Sequence, residues 1–162
     1  MTTRAYAPWV EPIAADLHES RSMIARTARQ LLPEHWATPS PLEGWSYKHL
    51  LGHCATGDWV CQRILRSAIA GEQINLSFLD QLNETNGRLA EERTATPVED
   101  VIAELLAQGE ETRGLLSQLT EEHEGLKPEG APMSLGEFLR NFHSHDQGHL
   151  AQLKTATDNV ML

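Results

Sequence analysis

The 162-residue sequence has no cluster of basic side chains. Its 13 Lys and Arg stand against 23 Asp and Glu, a formal net charge of −10 at pH 7. Nucleic-acid binders mass cations against phosphates, and anionic membranes select for the same pattern. The densest basic feature, Arg21, Arg26 and Arg29, is mixed with apolar residues along one predicted helix. No nucleic-acid or membrane partner is expected. Long apolar runs of the kind a bilayer span needs are absent too. The N-terminus, Met1-Thr2-Thr3-Arg4-Ala5-Tyr6, holds no apolar signal-peptide core. Cysteine is scarce: Cys54 and Cys61 lie seven positions apart on one predicted helix. Two helical turns separate them by about 10 Å, too far for a disulfide. Reduced thiols in a cytoplasmic protein are the simple expectation. Phosphate-binding loops, dinucleotide fingerprints and nucleophile elbows are also missing.

What is present is helical periodicity. With 40% hydrophobic residues, a chain of this length can bury a core as one domain, residues 1–162, without disulfides or a structural metal. Apolar residues recur at threes and fours, which places each set on one helix face. The spacing predicts a first helix over Glu11–Leu32, with Ile13, Leu17, Ile24, Ala28 and Leu31 inward and Pro33 as its stop. A second runs from the N-cap Ser46 to Ala70 before Gly71, burying Leu50, Val60, Ile64 and Leu65. Residues 71–96 are long for a turn, and Phe78, Leu82 and Leu89 could support a short extra helix within them. A third helix starts at Thr96-Pro97-Val98-Glu99, read as a capping box, and buries Val98, Ile102, Leu105, Leu116 and Leu119. A second capping box, Ser134-Leu135-Gly136-Glu137, opens the fourth helix, whose inner face carries Leu135, Phe138, Phe142 and Leu153 and which frays after Ala156. Amphipathic helices of similar length must bury their stripes against one another, so the expected fold is an all-α four-helix bundle with a long connection between helices two and three.

The histidines are distributed unevenly. His145 and His149 are four apart on the fourth helix and share the face of Phe138, Phe142 and Leu153; His53 lies in the apolar stripe of the second. All three imidazoles are expected to point inward. Buried imidazoles need partners, and one divalent metal would supply a common one. A His pair at i and i+4 plus a third from a facing helix makes a three-nitrogen set with open coordination positions, the pattern of a catalytic site. The alternative is three core histidines hydrogen-bonded to neighbours. His49 falls at the edge of the stripe and reads as a supporting or surface group. His143 points away from it, and His18, His35 and His123 read as surface or loop residues. Asp146 and Glu137 could orient a ligand. Trp45 and Trp59 could line a pocket or pack in the core. The stretch from His145 to His149 has no Glu after its first His, which argues against a metalloprotease.

Two segments resemble the DinB-like superfamily of metal-dependent enzymes. Gly44-Trp45-Ser46-Tyr47-Lys48-His49-Leu50-Leu51-Gly52-His53 is similar to the family's entry into helix two with its ligand histidine. His145-Asp146-Gln147-Gly148-His149-Leu150-Ala151-Gln152-Leu153 is similar to its closing H-x-x-x-H and Gln-Leu pair. The resemblance implies an up-down-down-up bundle, a divalent transition metal (nickel or zinc) on His53, His145 and His149, and a homodimer. It also implies thiol-dependent transferase or isomerase chemistry with a small-molecule substrate and a low-molecular-weight thiol. A metal-dependent hydrolase at the same site, or a non-catalytic metal- or ligand-binding stress module, are the alternatives.

Overall fold

The computed structural model describes residues 4–158. Six α-helices follow in order: α1 Glu11–Ala28, α2 Tyr47–Thr56, α3 Asp58–Ile69, α4 Leu82–Glu92, α5 Val98–Leu116 and α6 Leu135–Asp158. Among the described residues the only β pairing is an isolated antiparallel bridge between Pro39 and Ser46, and no helix is long and apolar enough to cross a membrane.

Two apolar clusters fix how the helices run. Ile13 and Leu17 of α1 meet Cys61, Ile64 and Leu65 of α3, Leu115 and Leu116 of α5, and Leu135 and Leu139 of α6. Ile24 and Ala28, further along α1, meet Leu50 and Leu51 of α2, Val101, Ile102 and Leu105 of α5, and Leu150 and Leu153 of α6. The start of α1 therefore sits beside the start of α6 and the ends of α3 and α5. With α2 and α3 taken as one arm, this is an up-down-down-up four-helix bundle. The two middle arms are parallel, and the connection between them must travel the length of the bundle. Residues 71–96 make that journey, and α4 is the extra helix within them.

Several boundaries differ from the expectations, each for a local reason. The arm expected as one helix over Ser46–Ala70 is broken at Gly57, which belongs to neither α2 nor α3, so the two cysteines lie on different helices. α1 stops at Ala28 rather than Leu32; Leu32 is extended (ψ 154°), as the residue before a proline prefers. Thr96 caps nothing: Pro97 is itself the N-cap of α5 and no side chain bonds there. Ser46 does cap α2, accepting from the His49 backbone N–H. The Ser134–Glu137 capping box forms as expected, with Ser134 N–H donating to Glu137 at 2.7 Å. Its Glu137 is thereby a capping residue on the surface and plays no part near the histidines. α6 extends to Asp158; fraying beyond it lies outside the described residues.

The inner face of α6 was also only partly anticipated. Leu135, Leu139, Leu150 and Leu153 enter the core, whereas Phe138 and Phe142 are half-buried and border a cavity. α6 thus presents two adjacent faces, one to the core and one to the site.

Candidate metal centre

The three histidines picked out by spacing meet at one point. His53 Nε2 lies 3.1 Å from His149 Nε2, and His149 Nε2 lies 3.1 Å from His145 Nε2. The ligand-capable atoms of all three fall within 4.8 Å of one another. α2 supplies His53 one turn before its break, and α6 supplies the pair from adjacent turns. His53 and His149 are buried as expected; His145 turns its Nε2 into the cluster as expected but keeps part of its side chain exposed.

Hydrogen bonding alone does not satisfy this arrangement. Gln152 Oε1 can only accept, so the 2.9 Å contact to His149 Nδ1 puts the proton of His149 on Nδ1. The Nε2 lone pair of His149 then faces two neighbouring nitrogens at equal distance, and one lone pair serves one good donor. His53 Nδ1, also buried, has no hydrogen-bond partner. A cation resolves the first conflict. Imidazole nitrogens about 2.0–2.1 Å from one ion stand about 3 Å apart at tetrahedral or octahedral angles, which matches the two 3.1 Å separations about His149. The donor set, three neutral imidazoles and no thiolate, fits a divalent ion such as zinc or nickel.

The electrostatics of His53 and His145 disfavour the protonated ring. Burial pulls the His53 pKa down to about 3, with repulsion from His149, His145 and Arg21 adding to it. Burial, then His149 and Arg21, also lower His145, against a smaller opposing pull from Asp146. A metal ligand must be free of its proton, so these shifts favour binding.

Behind the histidines lies an ionic cluster that was not anticipated. Arg21 is 3% exposed and pairs with Asp58 at 3.1 Å and Asp146 at 3.4 Å, both carboxylates also buried. Burial opposes its charge, but the two carboxylates outweigh that and hold its pKa above the usual arginine value. Burial pushes the Asp58 pKa up despite Arg21. Thr112 donates to Asp58 at 3.0 Å. Arg21 also donates to the Cys54 carbonyl. It thus grips the backbone beside His53 and the side chain beside His145. Periodicity carried the signal: Arg21 occupies the slot between Leu17 and Ile24 in the apolar stripe of α1, and Asp146 the slot between Leu139 and Leu150 on α6. Gly109 makes the room, since a Cβ there would come within 3.1 Å of Arg21 Cγ.

The remaining candidates fall outside the cluster. His49 turns to α4, with Nε2 2.6 Å from Glu91 and Nδ1 2.8 Å from Ser46 Oγ. His143, expected to point away, is half-buried with Nδ1 3.1 Å from buried Ser20 Oγ. His35 and His123 cap short turns, and His18 is exposed. Cys54 and Cys61 are free and buried, and burial pushes the Cys54 thiol up to about 12. Trp45 packs edge-on to His53 at 5.2 Å between ring centroids. Trp59 donates to Asn86 at 3.0 Å and packs against Phe78.

His53 and His145 form part of the wall of an open cavity of about 320 Å³, lined otherwise by Gly57, Val60, Leu79, Leu82, Asn86, Met133, Phe138, Asn141 and Phe142. That volume is within the range of small-molecule sites, about 300–1,000 Å³. A three-histidine cluster with the geometry to hold a metal ion thus stands on a helical bundle beside a ligand-sized cavity.

Residues 17–143 match the family described as the mycothiol maleylpyruvate isomerase N-terminal domain, and the chain belongs to that family. The matched segment includes His53 and stops short of His145 and His149. Two similar solved structures are the crystal structure of the mycothiol-dependent maleylpyruvate isomerase and that of a histidine-to-alanine mutant of it. Each has a TM-score of 0.72 at 15% identity, covering 89% of this chain and 60% of that chain. The chain therefore spans about 60% of the length of those relatives, and the likeness is one of fold. No curated protein matches.

Proposed function

We propose that His53, His145 and His149 hold one divalent transition metal, zinc or nickel, and that the protein is an enzyme working through a low-molecular-weight thiol as transferase or isomerase. The observation that carries this reading is the convergence of three imidazole nitrogens at the wall of an open cavity. Bound there, the ion would supply a Lewis acid that favours thiolate over thiol at neutral pH. The chain's own groups do the rest. Gln152 holds the His149 ring in the tautomer that exposes Nε2. Trp45 covers one side of His53. Arg21 and its two carboxylates fix α2 against α6. Val60, Leu79, Leu82, Phe138 and Phe142 give the cavity an apolar wall against which an electrophile would pack beside the sulfur.

The family's description names mycothiol, which supports a thiol as co-substrate. The protein's own cysteines are poor candidates for the nucleophile, since both are buried with raised pKa values. The homodimer implied by the resemblance, and a cytoplasmic setting, belong to the same proposal.

The test is thiol consumption in the presence of an alkylating electrophile, with the protein metal-free, zinc-loaded or nickel-loaded. A rate above the protein-free reaction that scales with bound metal and vanishes in His53→Ala supports the reading. A rate equal to the protein-free reaction in every metal state and with every thiol class tried refutes it.

A further inference from the structure

Besides His53 and His145, the cavity lining includes the side-chain amides of Asn86 and Asn141. They are not equivalent. Asn141 is exposed, so water competes for its amide. Asn86 is half-buried at the middle of α4. The Trp59 indole N–H donates to its Oδ1 at 3.0 Å. An indole nitrogen can only donate, and of the two ends of an amide only the oxygen accepts. The bond therefore settles which way the amide is turned. Oδ1 is spent on Trp59, which lies outside the lining, and Nδ2 is the end left for the cavity. Among the described residues Nδ2 has no protein acceptor.

Trp59 is itself held in place. It packs edge-on to Phe78 with ring centroids 5.6 Å apart, and the Arg63 guanidinium lies 4.5 Å over the Phe78 ring. A residue of α3 thus fixes the amide of a residue on α4. A donor already oriented loses less freedom when a ligand arrives. Helix stability does not account for Asn86, because asparagine at a helix centre competes with the backbone for hydrogen bonds. Its neighbour Gly87 is a still poorer helix former.

We infer that Asn86 is a specificity-determining residue of this cavity, donating from Nδ2 to an sp² oxygen of the substrate, and that Trp59 is the residue that positions it. The inference rests on the reading of this cavity as the substrate site and names one group the substrate must carry. Charge is not what the amide selects, since carbonyl and carboxylate oxygens both accept its N–H. A ligand with no acceptor there displaces water from Nδ2 and gives no bond in return.

The test uses two probes built on one aromatic ring: acetophenone, which carries a carbonyl oxygen, and toluene, which carries none. Binding to the full chain is followed by NMR, from the side-chain amide signals of Asn86, the Trp59 indole N–H and the cavity methyl groups. The protein is used as purified and after chelation, which removes any ion able to take the same oxygen. No thiol is present and no reaction is measured, so a failure of the thiol-transfer reading and a failure of this inference are read separately. Acetophenone should shift the Asn86 amide signals downfield in both states. Asn86→Asp keeps the acceptor for Trp59 and replaces the donor with an oxygen, and should bind acetophenone about fivefold more weakly. Toluene should bind this variant and the wild type alike, within about twofold. Trp59→Phe, which releases the amide, should weaken acetophenone and spare toluene. Where a variant fails to fold, the wild-type amide shift decides. Equal acetophenone affinity in wild type and Asn86→Asp, equal weakening of both probes, or unshifted Asn86 amide signals at the solubility limit of acetophenone in the chelated protein overturns the inference.

Discussion

His53 Nε2 and His149 Nε2 lie 3.1 Å apart, although 96 positions separate them in the sequence. Two helices entering the bundle from opposite ends of the chain are held in register so that these atoms, with His145 Nε2, share one point.

Gln152 should govern affinity without governing the fold. It is half-buried and bonded to His149 Nδ1 at 2.9 Å. Gln152→Leu removes the acceptor that fixes the tautomer. Metal affinity should fall by about 10–100-fold in a chelator-competition titration, with an unchanged melting temperature of the metal-free protein. Unchanged affinity would show that the ring needs no such tether.

Arg21→Met should be strongly destabilising. It leaves Asp58 and Asp146 buried without their cation, and removing one partner of a buried ion pair costs about 3–5 kcal/mol. Urea denaturation of the metal-free protein measures this. Arg21→Lys should recover little, because a single ammonium cannot reproduce the fork that reaches two carboxylates and the Cys54 carbonyl. A loss below about 1 kcal/mol would mean the cluster is solvated or neutral.

The metal-free protein should lose stability in acid with a defined sign. The folded His53 pKa is about 3, against 6.5 for the free side chain. Between those values the unfolded chain binds a proton that the folded one rejects. The contribution is therefore intact above about pH 6.5 and lost as pH falls toward 3, at up to about 1.4 kcal/mol per pH unit for this one group. His53→Phe should flatten that slope in a pH series of urea midpoints. An equal slope in the variant would place the titration elsewhere.

Gly52 marks where α4 lies on α2. A Cβ there would meet Arg93 Cβ at 3.0 Å and the Ala90 carbonyl at 3.2 Å. Gly52→Val should push the helices apart at the residue next to His53 and cost about 1–3 kcal/mol, read by thermal unfolding. Gly52→Ala is a milder case, because its gain in helix propensity, about 1 kcal/mol, offsets part of the clash. Wild-type stability in Gly52→Val would show that α4 moves freely.

The bundle was legible because its core obeys one rule. Ile13, Leu17, Ile24, Ala28, Ile102, Leu105, Leu116 and Leu153 all lie where the 3.6-residue period puts them, and all are buried. The break at Gly57 escaped because glycine is tolerated within helical patterns and nothing in the spacing changes across it. The histidines were legible for a mixed reason. His145 and His149 are local neighbours on one helix, and the apolar stripe of the second helix singles out His53 as their partner; the resemblance points to the same three residues. The exposure of His145 is not legible in the spacing, because it continues the line of Phe138 and Phe142, which are half-buried, pack against the core and also border the cavity. The Arg21 cluster was missed because charged residues are usually read as solvated, and only the apolar stripe running through Arg21 and Asp146 signals otherwise. The cavity's neutral lining comes from α2, α3, α4, α6 and the loops between them, and no local pattern announces it.

The measurement that bears most directly on the central claim is metal content together with metal-induced stabilisation. Untagged wild-type protein, His53→Ala and His149→Ala would be compared by elemental analysis as purified and after reconstitution at neutral pH, with melting curves alongside. Wild-type protein should carry about one zinc or nickel per chain and melt at a temperature that rises with added metal, and each variant should lose both effects while its metal-free form still folds. Wild-type protein that takes up no metal after reconstitution, or variants that retain it at the wild-type ratio, would contradict it.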